Sequence, residues 1–234
     1  MPTLRYVVAD VFTDTPLEGN QLAVFTDARD LDDTLMQRLA LELKFSETVF
    51  VLPAEGDGHA RIRIFTPTIE VPFAGHPTLG SAFVLGAPLQ LDEIRLETGR
   101  GVVPVRLERD GGRISFGRMT QPIPTIEPYD EEKELLAALG VERSQLPVEL
   151  YDNGIRHVYV ALESEGAVAE LRPDLGRLAR LPAVLGINTF AGAGSRWKTR
   201  MFAPGDVGPE DPATGSAAGP LALHRRLDLH ERAR

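Results

Sequence analysis

The chain has 234 residues, 43% hydrophobic and 25% charged, the composition of an ordinary soluble globular protein with room for one large domain or two of about 115 residues. A formal net charge of −9 argues against a nucleic-acid partner, because phosphate binding needs clustered positive charge, and no apolar run approaches the ~18 residues of a membrane span. With no cysteine there is no disulfide framework, thiolate metal site or cysteine nucleophile, and the five histidines show no H-x-x-x-H spacing, so no metal site is expected.

Leu4–Phe12 is rich in valine and aromatic residues and predicts a strand, not a signal peptide, which makes the cytoplasm the expected location. Pro16–Asn20 is a turn and Gln21–Phe25 a second strand. Asp33–Leu43 places Leu35, Met36, Leu39 and Leu43 at helical spacing, with Asp30 or Asp33 as the cap. Glu47–Leu52 is a strand with Glu47, Val49 and Val51 on one face and Thr48, Phe50 and Leu52 on the other. Ala60–Thr66 is a further strand, and Pro67–Pro77 a loop crowded with Pro and Gly. Thr78–Leu85 is a short apolar helix ending at Gly86, and a helix without a polar face is buried on all sides. Strands at Glu93–Glu97, Val102–Glu108 and Arg113–Gly117 follow. The proline-rich stretch Met119–Pro128 marks the joint between two domains, 1–118 and 119–234. In the second, Glu131–Leu139 is a helix stopped by Gly140, His157–Leu162 a strand and Pro173–Leu181 helical. A strand at Arg200 then leads through a loop to an apolar helix at about Thr214–His224.

The halves share a phrase. His76-Pro77-Thr78-Leu79-Gly80-Ser81-Ala82 returns as Asp211-Pro212-Ala213-Thr214-Gly215-Ser216-Ala217, an offset of 135 (211 − 76), and strand cues with Arg63 and Arg200 precede the two copies. In this register His76 aligns with Asp211. Each half therefore predicts an α+β domain, a curled and mostly antiparallel sheet wrapped around one central helix, with pseudo-symmetry between the two. By the same logic about three strands are missing after the second helix, so the second domain is expected to be truncated at its C-terminus.

Both copies run into the start of a helix, where small residues let backbone N–H groups approach a ligand and the partial positive charge favours an anion. A small carboxylate is the expected ligand class, held between the halves. At such a helix start His76 is favoured as the neutral imidazole, able to exchange protons. Glu47 opens an otherwise apolar strand, where a sheltered carboxylate can serve as a general acid and base. Asp211 alone reads as an N-cap and Ser216 as a helix-face hydroxyl. A hydrolase triad of Ser216, His76 and Asp211 is not supported, since Gly215-Ser216-Ala217-Ala218-Gly219 is not the G-x-S-x-G elbow. Gly192-Ala193-Gly194 likewise lacks the rest of a dinucleotide fingerprint.

Asp10-Val11-Phe12, Gly19-Asn20, Ser46-Glu47-Thr48, Phe65-Thr66-Pro67, Phe73 through Thr78 and Glu210 through Ala217, taken in order, resemble the PhzF-like isomerases of phenazine biosynthesis. That resemblance covers nearly the whole chain and implies the two-domain diaminopimelate epimerase-like fold, in its cysteine-free branch. It implies a cofactor-independent and metal-independent isomerase or epimerase that moves a proton on a small carboxylate or cyclic amino acid, as in dihydro-hydroxyanthranilate isomerisation. It further implies Glu47 as the proton carrier, His76, Asp211 and Ser216 as groups that orient the substrate and assist the proton, and Asn20, Gly75 and Gly215 as substrate-binding positions. A homodimer is implied as well. The competing expectation is a non-catalytic small-molecule binder, or an inactive truncated relative of the family.

Overall fold

A computed structural model describes residues 3–182, 186–194, 196–204 and 210–232, the last eight by their backbone alone. The chain divides into two compact units, Met1–Pro122 and Ile123–Arg234.

In unit 1 the strands β1 (Tyr6–Val11), β2 (Asn20–Phe25), β3 (Glu47–Leu52), β4 (Ala60–Phe65), β5 (Glu70–Val71), β6 (Glu93–Thr98), β7 (Gly101–Asp110) and β8 (Arg113–Met119) form one sheet. Its order is β1-β2-β3-β4-β6-β7-β8, with the short β5 on β4. Two pairs are parallel, β2–β3 across helix α1 (Asp33–Leu43) and β4–β6 across helix α2 (Gly75–Leu89); the rest are antiparallel. The sheet curls around α2, which touches β1, β2, β3, β6, β7 and β8.

Small residues make that enclosure possible. A Cβ at Gly80 would lie 2.7 Å from Leu22 Cδ2 and 2.8 Å from Val11 Cγ2. The helix does not stop at Gly86 as expected. That glycine is buried against Leu107 and Ile94, so it serves close packing and not termination. The end comes at Gln90, whose left-handed backbone (φ 55°) returns its N–H to the Gly86 carbonyl at 3.0 Å. The opposite face of the sheet carries Phe25, Phe50 and Phe65 against Met36 and Ala40 of α1. Asp32, not Asp30 or Asp33, caps α1 by accepting from the Leu35 N–H at 2.8 Å, while Asp33 receives Arg63.

Unit 2 contains β9 (Thr125–Pro128), α3 (Glu132–Leu139), β10 (Glu149–Asp152), β11 (Arg156–Ala161), α4 (Glu165–Glu170), α5 (Leu175–Leu178), β12 (Gly186–Ala193), β13 (Arg196–Phe202), β14 (Glu210–Asp211) and α6 (Gly215–Arg232). Its sheet runs β14-β13-β12-β11-β10-β9, parallel only between β11 and β12. Part of the expected joint is thus a strand: β9 is the sheet edge, where proline is tolerated. One face packs Val158, Val160, Ile187 and Phe202 with Leu135 and Leu139 of α3. The other packs Tyr151, Tyr159 and Phe190 with Ala217 and Leu221 of α6. Among the described residues, α6 extends past the expected end at His224 to Arg232 and no strand follows it, whereas β6, β7 and β8 follow α2.

The order β1-β2-α1-β3-β4-β5-α2 recurs as β10-β11-α4-α5-β12-β13-β14-α6. Pairing fixes the register of this repeat. Phe65 faces Thr48 and Glu70, and Phe202 faces Ile187 and Glu210. Arg63 forks onto Glu70 (2.8 and 2.6 Å) and Arg200 onto Glu210 (2.8 and 2.8 Å), each guanidinium lying over its phenylalanine at 5.2 and 4.9 Å. From Glu70 and Glu210 onward the offset is 140 (210 − 70), and the helices start in step at Gly75 and Gly215 (215 − 75). The expected offset of 135 is therefore corrected at this point. His76 corresponds to Ser216, and Asp211 to Val71. The Gly-Ser-Ala match arose because both buried helices need small residues, in α2 five positions further in.

Candidate active site

In unit 1 the polar groups gather where β2 and β3 begin and α2 begins. The parallel register Leu22↔Glu47 brings Asn20 and Gln21 beside Ser46 and Glu47. Asn20 is buried, and its Oδ1 accepts from Ser46 Oγ at 3.1 Å. The Glu47 side chain is 15% exposed and that of His76 3%, with Glu47 Oε2 3.5 Å from His76 Nδ1. His76 Nε2 lies 3.4 Å from the Gln21 carbonyl. A carbonyl only accepts, so Nε2 carries the proton and Nδ1 of a neutral ring presents its lone pair to Glu47. The carboxyl and the imidazole can then share one proton between them.

The helix start adds donors. Ala74, the extended residue before α2, gives no side-chain cap, and Pro77 has no N–H to satisfy. Gly75 opens the helix beside this pair, with Thr78 Oγ1 donating to the Ala74 carbonyl at 2.7 Å. Glu47, His76, Asn20 and Gly75 are thus grouped within one unit.

Unit 2 groups Asp211, Gly215 and Ser216 around the start of α6. Asp211 ends β14 opposite Met201, and its Oδ2 accepts from Thr214 Oγ1 at 2.5 Å. Asp211 and Thr214 line a cavity of about 140 Å³ whose other walls include Tyr159, Asn188 and Phe190. Ser216 Oγ is 3.0 Å from Nε2 of His157, a fully buried imidazole whose Nδ1 lies 3.1 Å from Asn188 Nδ2. Burial pushes the His157 pKa down to about 4, against the smaller opposing pull of Asp152. The Ser216 carbonyl would ordinarily accept from residue 220. That residue is Pro220, and the Asn153 amide donates to the carbonyl instead, at 2.8 Å. Tyr159 OH donates to the next carbonyl, Ala217, also at 2.8 Å.

His157, Asn188, Asn153 and Gln21 escaped the sequence reading. A signal existed for the first: His157 alternates with Tyr159 and Ala161 on one face of a strand, so its imidazole had to point at the central helix. Among the described residues no group of three His, Asp or Glu side chains could hold a metal ion, and no helix is long and apolar enough to cross a membrane.

Residues 9–233 match the family model described as phenazine biosynthesis-like protein. Trans-2,3-dihydro-3-hydroxyanthranilate isomerase of Pseudomonas aeruginosa is 54% identical over 220 residues, 94% of this chain and 79% of that protein. A solved structure from the same organism, described as a "predicted epimerase", superposes with a TM-score of 0.80 at 32% identity, covering 95% of this chain and 81% of its own. A probable proline racemase from Agrobacterium radiobacter reaches a TM-score of 0.62 at 15% identity over 96% of this chain and 78% of its own, which shows a common fold. With a diaminopimelate epimerase-like α+β fold and these relatives, the chain belongs to the phenazine biosynthesis-like family and is an isomerase.

Proposed function

We propose that this isomerase moves a proton on a small cyclic carboxylate of the trans-2,3-dihydro-3-hydroxyanthranilate type, with Glu47 as acid and base. The observation that carries the reading is the sheltered Glu47–His76 pair at an uncapped helix start. The substrate class follows from the named activity of the 54% identical relative. The Glu47 carboxylate takes a proton from a substrate carbon, the C–H electron pair moves into the ring's double-bond system, and the same carboxyl returns the proton to a different carbon. Nothing is gained or lost overall, so no metal or organic cofactor is required. His76, through Nδ1, holds the Glu47 proton in place between the two steps.

In this reading Asn20 and the backbone at Gly75 and Gly215 bind the substrate, and Asp211 and Ser216 orient it and assist the proton. A helix start suits a carboxylate because its N–H groups and dipole favour negative charge. A cytoplasmic homodimer belongs to the same proposal on family resemblance alone, and light scattering of the purified protein tests the dimer.

Glu47→Gln keeps the shape of the side chain and removes its proton transfer. Turnover of trans-2,3-dihydro-3-hydroxyanthranilate in D2O, with deuterium uptake read by mass spectrometry, is expected to fall about 10²- to 10⁴-fold. Uptake that continues at the wild-type rate in a folded Glu47→Gln protein overturns the assignment.

A further inference from the structure

The unit 2 helix start differs from that of unit 1 in what stands behind it. His76 meets a carboxylate from β3. Its counterpart Ser216 meets an imidazole from β11, and the β12 position corresponding to Glu47 is Gly186, since Thr48 and Ile187 both oppose a phenylalanine. A Cβ at Gly186 would overlap Nδ1 of His157, so the ring takes the space a side chain on β12 would fill.

The protonation of that ring is fixed by its neighbours. Asn188 Nδ2 lies 3.4 Å from the Val158 carbonyl and 3.4 Å from the Gly186 carbonyl as well as 3.1 Å from His157 Nδ1. Two carbonyls can face only the NH2 end of an amide, which settles the orientation of Asn188. An NH2 group can only donate, so Nδ1 accepts and Nε2 bears the hydrogen. Nε2–H then donates to Ser216 Oγ at 3.0 Å. His157 and Asn188 are buried, at 0% and 3% exposure. Asn153 and Tyr159 hold the Ser216 and Ala217 carbonyls, so the hydroxyl sits on an anchored turn.

We propose that His157, set by Asn188 as the Nε2–H tautomer, is a positioning residue that occupies the acceptor side of Ser216 and commits its hydroxyl hydrogen to an anionic oxygen of the substrate. The inference rests on the proposed function for the identity of that oxygen, but the tautomer does not. A serine free to rotate donates or accepts. One that already accepts a buried N–H turns its own hydrogen away from that ring, and less reorganisation is needed when a negative charge arrives.

The test has two arms. Long-range 1H–15N correlation spectra of 15N-histidine-labelled protein, without substrate at pH 7, report the His157 tautomer, with His157→Gln giving the assignment. The expected result is protonated Nε2 and bare Nδ1, with the Nε2 resonance displaced in Ser216→Ala. A bare Nε2 or a charged ring overturns the inference whatever the activity.

The second arm is a double-mutant cycle on turnover of trans-2,3-dihydro-3-hydroxyanthranilate. Ser216→Ala and His157→Phe are each expected to lower kcat/KM about 10- to 100-fold, the double variant to be no worse than either single one, and His157→Gln, whose amide still donates, to recover part of the loss. Losses that multiply, with His157→Gln no better than His157→Phe, overturn the positioning role. If His157→Phe does not fold, the tautomer and the His157→Gln comparison decide. A wild-type protein that shows the expected tautomer and does not turn over this substrate sinks the proposed function and leaves the tautomer standing.

Discussion

Single residues set the acid response of this protein. His157 has its pKa depressed from 6.5 to about 4, chiefly by burial. An unfolded chain binds a proton at His157 before the folded one does, so the stability held in the neutral ring is complete above pH 6.5 and drains away as pH falls towards 4. The whole amount is about 3 kcal/mol on the scale of 1.36 kcal/mol per unit. Urea midpoints are expected to drop across that window in the wild type and to drop less in His157→Gln. Glu210, held low by the Arg200 fork, adds a loss of the same sign only below pH 4.5. In the sequence, Glu47 was legible as a candidate because it opens an otherwise apolar strand, and His76 because it begins the repeated phrase at a helix start. Their meeting across 29 positions was not, since it depends on the parallel register of β2 and β3. His157 sat inside a correctly expected strand, yet its role depends on Asn188, which lies on a strand the reading missed.

Among the elements, the two central helices show how a chain reconciles close packing with backbone demands. Pro220 leaves the Ser216 carbonyl without its helical donor, and Asn153 supplies one from the turn after β10. Asn153→Ala is expected to destabilise unit 2 by about 1–3 kcal/mol, the range for a buried acceptor left unsatisfied. Adding Pro220→Ala restores an N–H at residue 220 and should recover much of that loss, which chemical denaturation of both variants measures. In unit 1, Gly80→Ala sets a methyl against Leu22 and Val11 and is expected to cost about 1–3 kcal/mol by overpacking, visible as a lowered Tm. Apolar composition revealed that α2 is enclosed, but it misread the Gly86 contact with Leu107 as a stop signal. Composition reports that a glycine is needed and does not distinguish a turn from a close approach.

At the level of the whole chain, one plan is used twice, and the repeat was legible because both copies need an arginine strand, a short connector and a helix of small residues. The register was not legible by phrase matching. It became clear from the Arg63–Glu70 and Arg200–Glu210 forks, whose partners are ten positions apart in unit 2 and seven in unit 1. Because α2 is touched by six strands, its amides are expected to exchange with D2O more slowly than those of α1, which lies on one face of the sheet; mass-spectrometric exchange of peptides from the two helices checks this. The asymmetry between Glu47 and Gly186 has a stereochemical consequence. Where β3 of unit 1 offers the Glu47 carboxylate, the corresponding β12 position of unit 2 is Gly186 and offers no side chain, so the repeat supplies no second copy of that base. If Glu47 carries the proton, it leaves and returns on one face, and the product keeps a single configuration instead of being racemised. Chiral chromatography of the product, with deuterium placed at the departing position, is expected to show one enantiomer that retains part of its label.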